Sequence, residues 1–253
     1  MPAAAEIGIA AALGAVIGSF LNVVIHRVPL KMSLVHPGSR CPSCEAAIAP
    51  YDNVPVVSWL VLRGRCRRCR ARISPRYPAV ELLTAITFGA VVAVRGFDND
   101  LVLELPFVAG LIALAGIDFD HRLLPNKIVY PMAVYGVVAT AIVDGSDLVE
   151  HLLAGAGAFL FLFVTVLAYP RGMGMGDVKL AGAMGLYLGL SIIPALLVAF
   201  LSGSVVGLGI IAREGAAARK KAVPFGVFLA LGGIVGVLVG PELIEFYEDN
   251  FLG

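Results

Sequence analysis

Along most of this chain, runs of about 20 mainly apolar residues follow one another with only short polar turns between them, and few folds can accommodate that pattern. There are about eight such runs, roughly 7–25, 79–95, 101–117, 126–143, 148–169, 178–190, 192–211 and 223–240, most near the length that crosses a bilayer core. The sixth is short. With 59% of 253 residues hydrophobic and 15% charged, far more apolar surface is present than one soluble core buries. Lipid offers no hydrogen bonds to stray backbone, so these runs are expected as helices; the alternating strands of a membrane barrel are absent. The sequence therefore predicts an all-α polytopic membrane protein.

The loop charges predict its orientation. If the chain crosses eight times, all of the 19 Lys and Arg residues except Arg95 fall on one side. The opposite loops hold Glu6, Asp98, Asp100, Asp144, Asp147 and the acidic tail. Basic residues stay in the cytoplasm, so both termini are expected on the opposite side of the membrane. No basic residue precedes the first run, and His26-Arg27 follow it, a pattern of a retained helix. The formal net charge of +1 reflects charges sorted by side and gives no reason to expect a nucleic-acid partner; membrane lipid is the expected surroundings.

Three parts are expected: a first transmembrane helix over 1–25, a cytoplasmic tetracysteine module over 26–78, and a transmembrane core over 79–253. Glycines at Gly14/Gly18, Gly203/Gly207 and Gly232/Gly236/Gly240 have the spacing of close helix crossings. No tandem repeat is evident.

The polar module contains all four cysteines, as Cys41-Pro-Ser-Cys44 and Cys66-Arg-Arg-Cys69 with 21 residues between the pairs. Two C-x2-C knuckles at that separation suit a tetrahedral S4 site, and reduced cytoplasmic thiols favour structural Zn2+ over disulfides. Glu45, Asp52 and Glu81 read as partners for nearby basic side chains. Trp59 and Tyr51 read as interfacial anchors, and Asn22 as a polar group in helix packing or substrate docking.

Acids near membrane depth are costly and point to function. Asp118 and Asp120 lie in Gly116-Ile-Asp-Phe-Asp-His-Arg-Leu-Leu-Pro-Asn126, and Asp177 in Gly172-Met-Gly-Met-Gly-Asp-Val-Lys179. One motif leaves the third run and the other enters the sixth, so both are expected at the same cytoplasmic border. Two carboxyl groups brought close share one proton, the arrangement of an aspartyl protease: one takes a proton from water while the other polarises a scissile carbonyl. Gly172, Gly174 and Gly176 allow close approach of an extended substrate. An ion path through a transporter remains an alternative use of the same acids.

Many short motifs in order extend this reading: Gly18-Ser-Phe-Leu-Asn-Val-Val-Ile-His-Arg27, the cysteine pairs, Tyr51-Asp-Asn-Val-Pro55, Ile73-Ser-Pro-Arg-Tyr-Pro78, Leu124-Pro-Asn126 and Gly174-Met-Gly-Asp-Val-Lys-Leu180. Together they resemble the bifunctional type IV prepilin peptidases, GxGD aspartyl proteases that are also N-methyltransferases. The resemblance implies Asp118, seven residues before Pro125, and Asp177 as the catalytic pair, with Gly174, Gly176 and Lys179 supporting the loop. It further implies cleavage of type IV prepilins or type II secretion pseudopilins after a Gly, followed by methylation from S-adenosylmethionine. No residue for that methyl donor is legible.

Overall fold

The computed structural model describes residues 3–143, 145–169, 173–215 and 223–252, and the chain divides into two compact units, Met1–Phe97 and Asp98–Gly253. The described residues are helical apart from loops and two isolated bridges, as expected for an all-α membrane protein. Gly172 and Asp144, which entered the sequence reading, lie outside them, as do Arg171 and the basic stretch 219–221 counted among the 19 Lys and Arg residues.

In the first unit, α1 (Ala4–Arg27) and α3 (Arg76–Arg95) pack along their lengths. Gly14 and Gly18 make that possible: a Cβ on Gly14 would lie 2.6 Å from Thr84 O, and one on Gly18 would lie 2.8 Å from Glu81 Cα. Where α1 ends, the Arg27 guanidinium donates to the carbonyls of Ser33 (2.8 Å) and Pro37 (2.7 Å), folding the departing chain back. The Asn22 amide donates to Tyr77 O at 3.0 Å and ties the exit of α1 to the entrance of α3. Between them sit the cysteine knuckles and a five-residue helix, α2 (Val57–Val61).

The second unit is built from α4 (Leu101–His121), α5 (Asn126–Val143), α6 (Leu148–Ala168), α7 (Met175–Leu188), α8 (Ile192–Glu214) and α9 (Phe225–Tyr247). Helix α7 is buried on nearly every side, among α5, α6 and α9. It touches α6 almost backbone to backbone, since a Cβ on Gly185 would lie 2.6 Å from both N and Cα of Gly155. Such contact is how helices gain dispersion energy where lipid supplies no hydrophobic drive.

Among the described residues, seven stretches are long and apolar enough to cross a membrane, one of them Met175–Glu214 with 40 residues. That stretch contains the sixth and seventh expected runs, separated by the 3-10 turn Gly189–Ser191, where Gly189 has φ +52°. The chain reverses there. Gly226 at the start of α9 lies near Leu124, Gly236 near Leu188 and Gly240 near Ser191, whereas along α8 the order inverts, with Ala195 near Gly232 and Gly203 near Phe228. Glu150 of α6 secures the reversal by accepting the Leu190 N–H at 2.9 Å. Of the glycine pairs read from sequence, Gly207 alone faces open space.

Candidate active site and metal centre

Asp118 sits in the last turn of α4, which stops because Arg122 takes the left-handed conformation (φ 51°, ψ 46°) while its N–H still bonds Asp118 O at 2.8 Å. The next residues turn at once into α5, seating buried Leu124 beside the carboxylate. Asp177 is the third residue of α7. Its Oδ2 accepts the Gly174 N–H at 3.0 Å, capping one of the donors that a helix start leaves over.

Both carboxylates are nearly inaccessible, Asp118 at 5% and Asp177 at 8% exposure, and both line one cleft of about 270 Å³ with Arg122, Leu123, Leu124, Asn126, Gly174, Gly176 and Lys179. They are close enough to interact electrostatically. Asp118 Oδ2 is buried without a hydrogen-bond partner among the described residues. An unsatisfied carboxylate oxygen is expensive to bury, so a group that supplies a proton there is favoured. Asp120, two residues on, is exposed and does not line the cleft.

Gly174 and Gly176 have distinct tasks. A Cβ on Gly176 would press on Leu124 Cβ at 3.1 Å, so its lack of a side chain lets α7 close on the α4–α5 turn. Gly174 meets no such obstacle, its virtual Cβ lying 3.5 Å from Asp177 Oδ2, and contributes its N–H. Lys179 donates to Asn126 Oδ1 at 3.3 Å and lies 5.3 Å over the Tyr130 ring, so its ammonium is held by neutral groups of α5.

One component escaped the sequence reading. The first turn of α9 packs against the Asp118 carboxylate at Gly226. A Cβ at 226 would lie 2.8 Å from Asp118 Oδ2, so any side chain there pushes on the carboxylate. The available signal was Pro224-Phe225-Gly226 opening an apolar run at the border that carries both acids.

In the first unit the four cysteine sulfurs all lie within 4.8 Å of one another, and Cys41 Sγ is 3.7 Å from Cys69 Sγ. A tetrahedral S4 shell with bonds of about 2.3 Å places its sulfurs about 3.8 Å apart, so the four side chains fit a metal ion. The knuckles prove to be an internal repeat, Arg-Cys-x-x-Cys-x-Ala-x-Ile-x-Pro at 40–50 and again at 65–75. Their backbones repeat too: Cys41 and Cys66 donate to Ala46 O (3.0 Å) and Ala71 O (2.9 Å), and Glu45 and Arg70 both adopt positive φ. The unit is shorter than the repeats of solenoid folds.

The knuckles also set the thiol acidities. N–H groups of Ser43 and Cys44 aimed at Cys41 lower it to about 6, and those of Cys69 and Arg68 lower Cys66. For Cys69 the Ala71 N–H favours the thiolate, but burial and the neighbouring sulfurs outweigh it and raise the thiol to about 11. Metal-free, the cluster thus divides its protons unequally, and a cation that replaces them relieves the crowding.

Of the other acids, Asp52 forms the expected ion pair, with Arg67 at 2.6 Å, and is held below the usual carboxylate range by it. Glu81 differs from expectation, because its Oε2 accepts the Val56 backbone N–H at 2.7 Å.

Comparison with known proteins shows that residues 12–95 match the Bacterial Peptidase A24 N-terminal domain and residues 105–212 the Type IV leader peptidase family. Proteins named prepilin leader peptidase/N-methyltransferase are similar along most of the chain. That of Aeromonas hydrophila is 36% identical, covering 93% of this chain and 91% of its own, and that of Pseudomonas aeruginosa is 34% identical with the same coverage. The Myxococcus xanthus protein is 42% identical over 82% of this chain and 64% of its own. No solved structure matches the chain.

Proposed function

Since the chain belongs to the type IV leader peptidase family, we propose that it cleaves the leader from prepilin or pseudopilin precursors with Asp118 and Asp177, and N-methylates the new terminus. The supporting observation is two buried carboxylates on the wall of one cleft, one with an oxygen that has no hydrogen-bond partner among the described residues. With a single proton between them, the ionised member takes a proton from water as it attacks the scissile carbonyl, and the protonated member donates to the carbonyl oxygen. Collapse of the resulting diol breaks the C–N bond: the second carboxylate takes a proton back from a diol hydroxyl, and the proton taken from water passes to the departing amine. The Gly174 N–H steadies the Asp177 carboxylate, and the first turn of α9 packs against that of Asp118. Gly174, Gly176 and Lys179 shape the cleft beside them.

Under the positive-inside rule the cleft and the cysteine module face the cytoplasm of a bacterial inner membrane, with both termini outside. A basic leader held inside by the same rule then presents its junction at that border. Cys41, Cys44, Cys66 and Cys69 hold Zn2+, whose contribution is structural because four thiolates close its shell. S-adenosylmethionine, when bound, supplies the methyl group. The described residues contain no sheet to carry a glycine-rich nucleotide loop, and no residue is assigned to it. In this scheme 1–25 anchors, 26–78 forms the module and 79–253 cuts.

The test is processing of a co-reconstituted precursor by Asp118→Asn and Asp177→Asn proteins, read by gel and by mass spectrometry of the product terminus. Each substitution is expected to slow cleavage by at least about 10²-fold. Normal processing by either variant disproves the dyad.

A further inference from the structure

The residue preceding α2 carries an unusual backbone. Val56 has φ +60°, a region a β-branched residue enters only when its surroundings compel it. The compelling group is Glu81, buried in the first two turns of α3, whose carboxylate takes the Val56 N–H. Because α1 and α3 are membrane helices joined at this end by Asn22 and Tyr77, the start of α2 is pinned at their shared membrane border.

Apolar side chains held there face outward. Val57 is 55% exposed, Leu60 61% and Val61 70%, although they make up most of a five-residue helix. Directly after them come Arg63, Arg65, Arg68, Arg70 and Arg72, all exposed, with Arg67 alone of that run paired to an acid within salt-bridge distance among the described residues. Trp59 joins the two features. Its ring lies against Gly64 (φ +64°) and its indole N–H donates to Ile73 O at 3.1 Å, so α2 is tied to the arginine knuckle.

We propose that α2 and the second cysteine knuckle form a docking surface for an anionic phospholipid bilayer, with Val57, Leu60 and Val61 entering the interface and the arginines on lipid phosphates. Apolar residues beside a cationic cluster are the composition of interfacial membrane anchors, and charge complementarity selects anionic over zwitterionic headgroups. The tether through Glu81 holds the helix at the depth where both contacts form together. This surface is independent of the peptidase reading, since neither aspartate takes part.

Trp59 is the single tryptophan, so its fluorescence reports on this helix alone. The full-length protein is reconstituted into bilayers of phosphatidylcholine with or without phosphatidylglycerol, with bromine placed high on the acyl chains as quencher. Quenching of Trp59 is expected in the anionic bilayer and is expected to weaken in high salt. Replacing Arg68 and Arg70 with Gln is expected to lower the inserted population by about fivefold per arginine. A Leu60→Asp, Val61→Asp protein is expected to lose quenching while its cysteines keep the metal retention of the parent, which shows the module still folded. Absence of quenching in every bilayer means that protein covers the face, and overturns the proposal. Equal quenching in both lipids, indifferent to salt and to the arginine changes, overturns it as well.

Discussion

Replacing Gly226 with Ala tests whether α9 holds Asp118 in place. The added methyl would stand 2.8 Å from Asp118 Oδ2 and 3.0 Å from Leu124 Cδ2, so the carboxylate or the helix must yield by about half an ångström to reach ordinary contact. A displacement of about 1 Å at a reacting group costs about 10²-fold, and half that shift costs about tenfold. Overpacking costs about 1–3 kcal/mol, and the better helix propensity of Ala returns about 1, leaving a net loss of about 0–2 kcal/mol. The protein should therefore remain folded while its kcat for leader cleavage falls about tenfold. Precursor cleavage in proteoliposomes, with thermal unfolding measured in parallel, separates the two effects. Gly207→Ala is the control, because nothing lies within 4 Å of its virtual Cβ. Cleavage by Gly226→Ala within twofold of the parent, with Asp118→Asn inactive, would refute the role given to α9.

Three further outcomes follow from the packing and the thiols. Gly185→Ala drives a methyl into the Gly155 backbone, which has no rotamer to change; thermal unfolding in detergent should show a loss of about 1–3 kcal/mol, whereas an unchanged melting temperature would mean that α6 and α7 are not so close. In metal-stripped protein, thiolate absorbance should show Cys41 ionising near 6 and Cys69 only near 11. Since the Cys41 thiol is lowered from 9.0, its contribution to stability is complete above about 9 and disappears as pH falls toward 6. Cys66→Ser should lose metal to a chelator that the parent withstands, measured by elemental analysis; equal retention would exclude the S4 shell.

Much of this molecule can be read without coordinates because the relevant physics is local. Apolar length decides what crosses lipid, C-x2-C spacing decides which sulfurs meet, and loop charge gives the order in which borders alternate. The two aspartates could be assigned to one border for that reason, and Asp52 to a nearby arginine. What local pattern could not supply was the meeting of remote segments. That Gly226 closes on Asp118, that Gly155 rests on Gly185, and that Glu81 grips a backbone N–H instead of a basic side chain depend on how helices far apart in sequence cross. Helix crossings are determined by the summed fit of many side chains, each contributing a fraction of a kcal/mol, and no single spacing encodes them. The chain alone therefore put the two carboxyl groups forward, whereas the tertiary structure decided which neighbours surround them, and left Asp118 Oδ2 without a hydrogen-bond partner among the described residues.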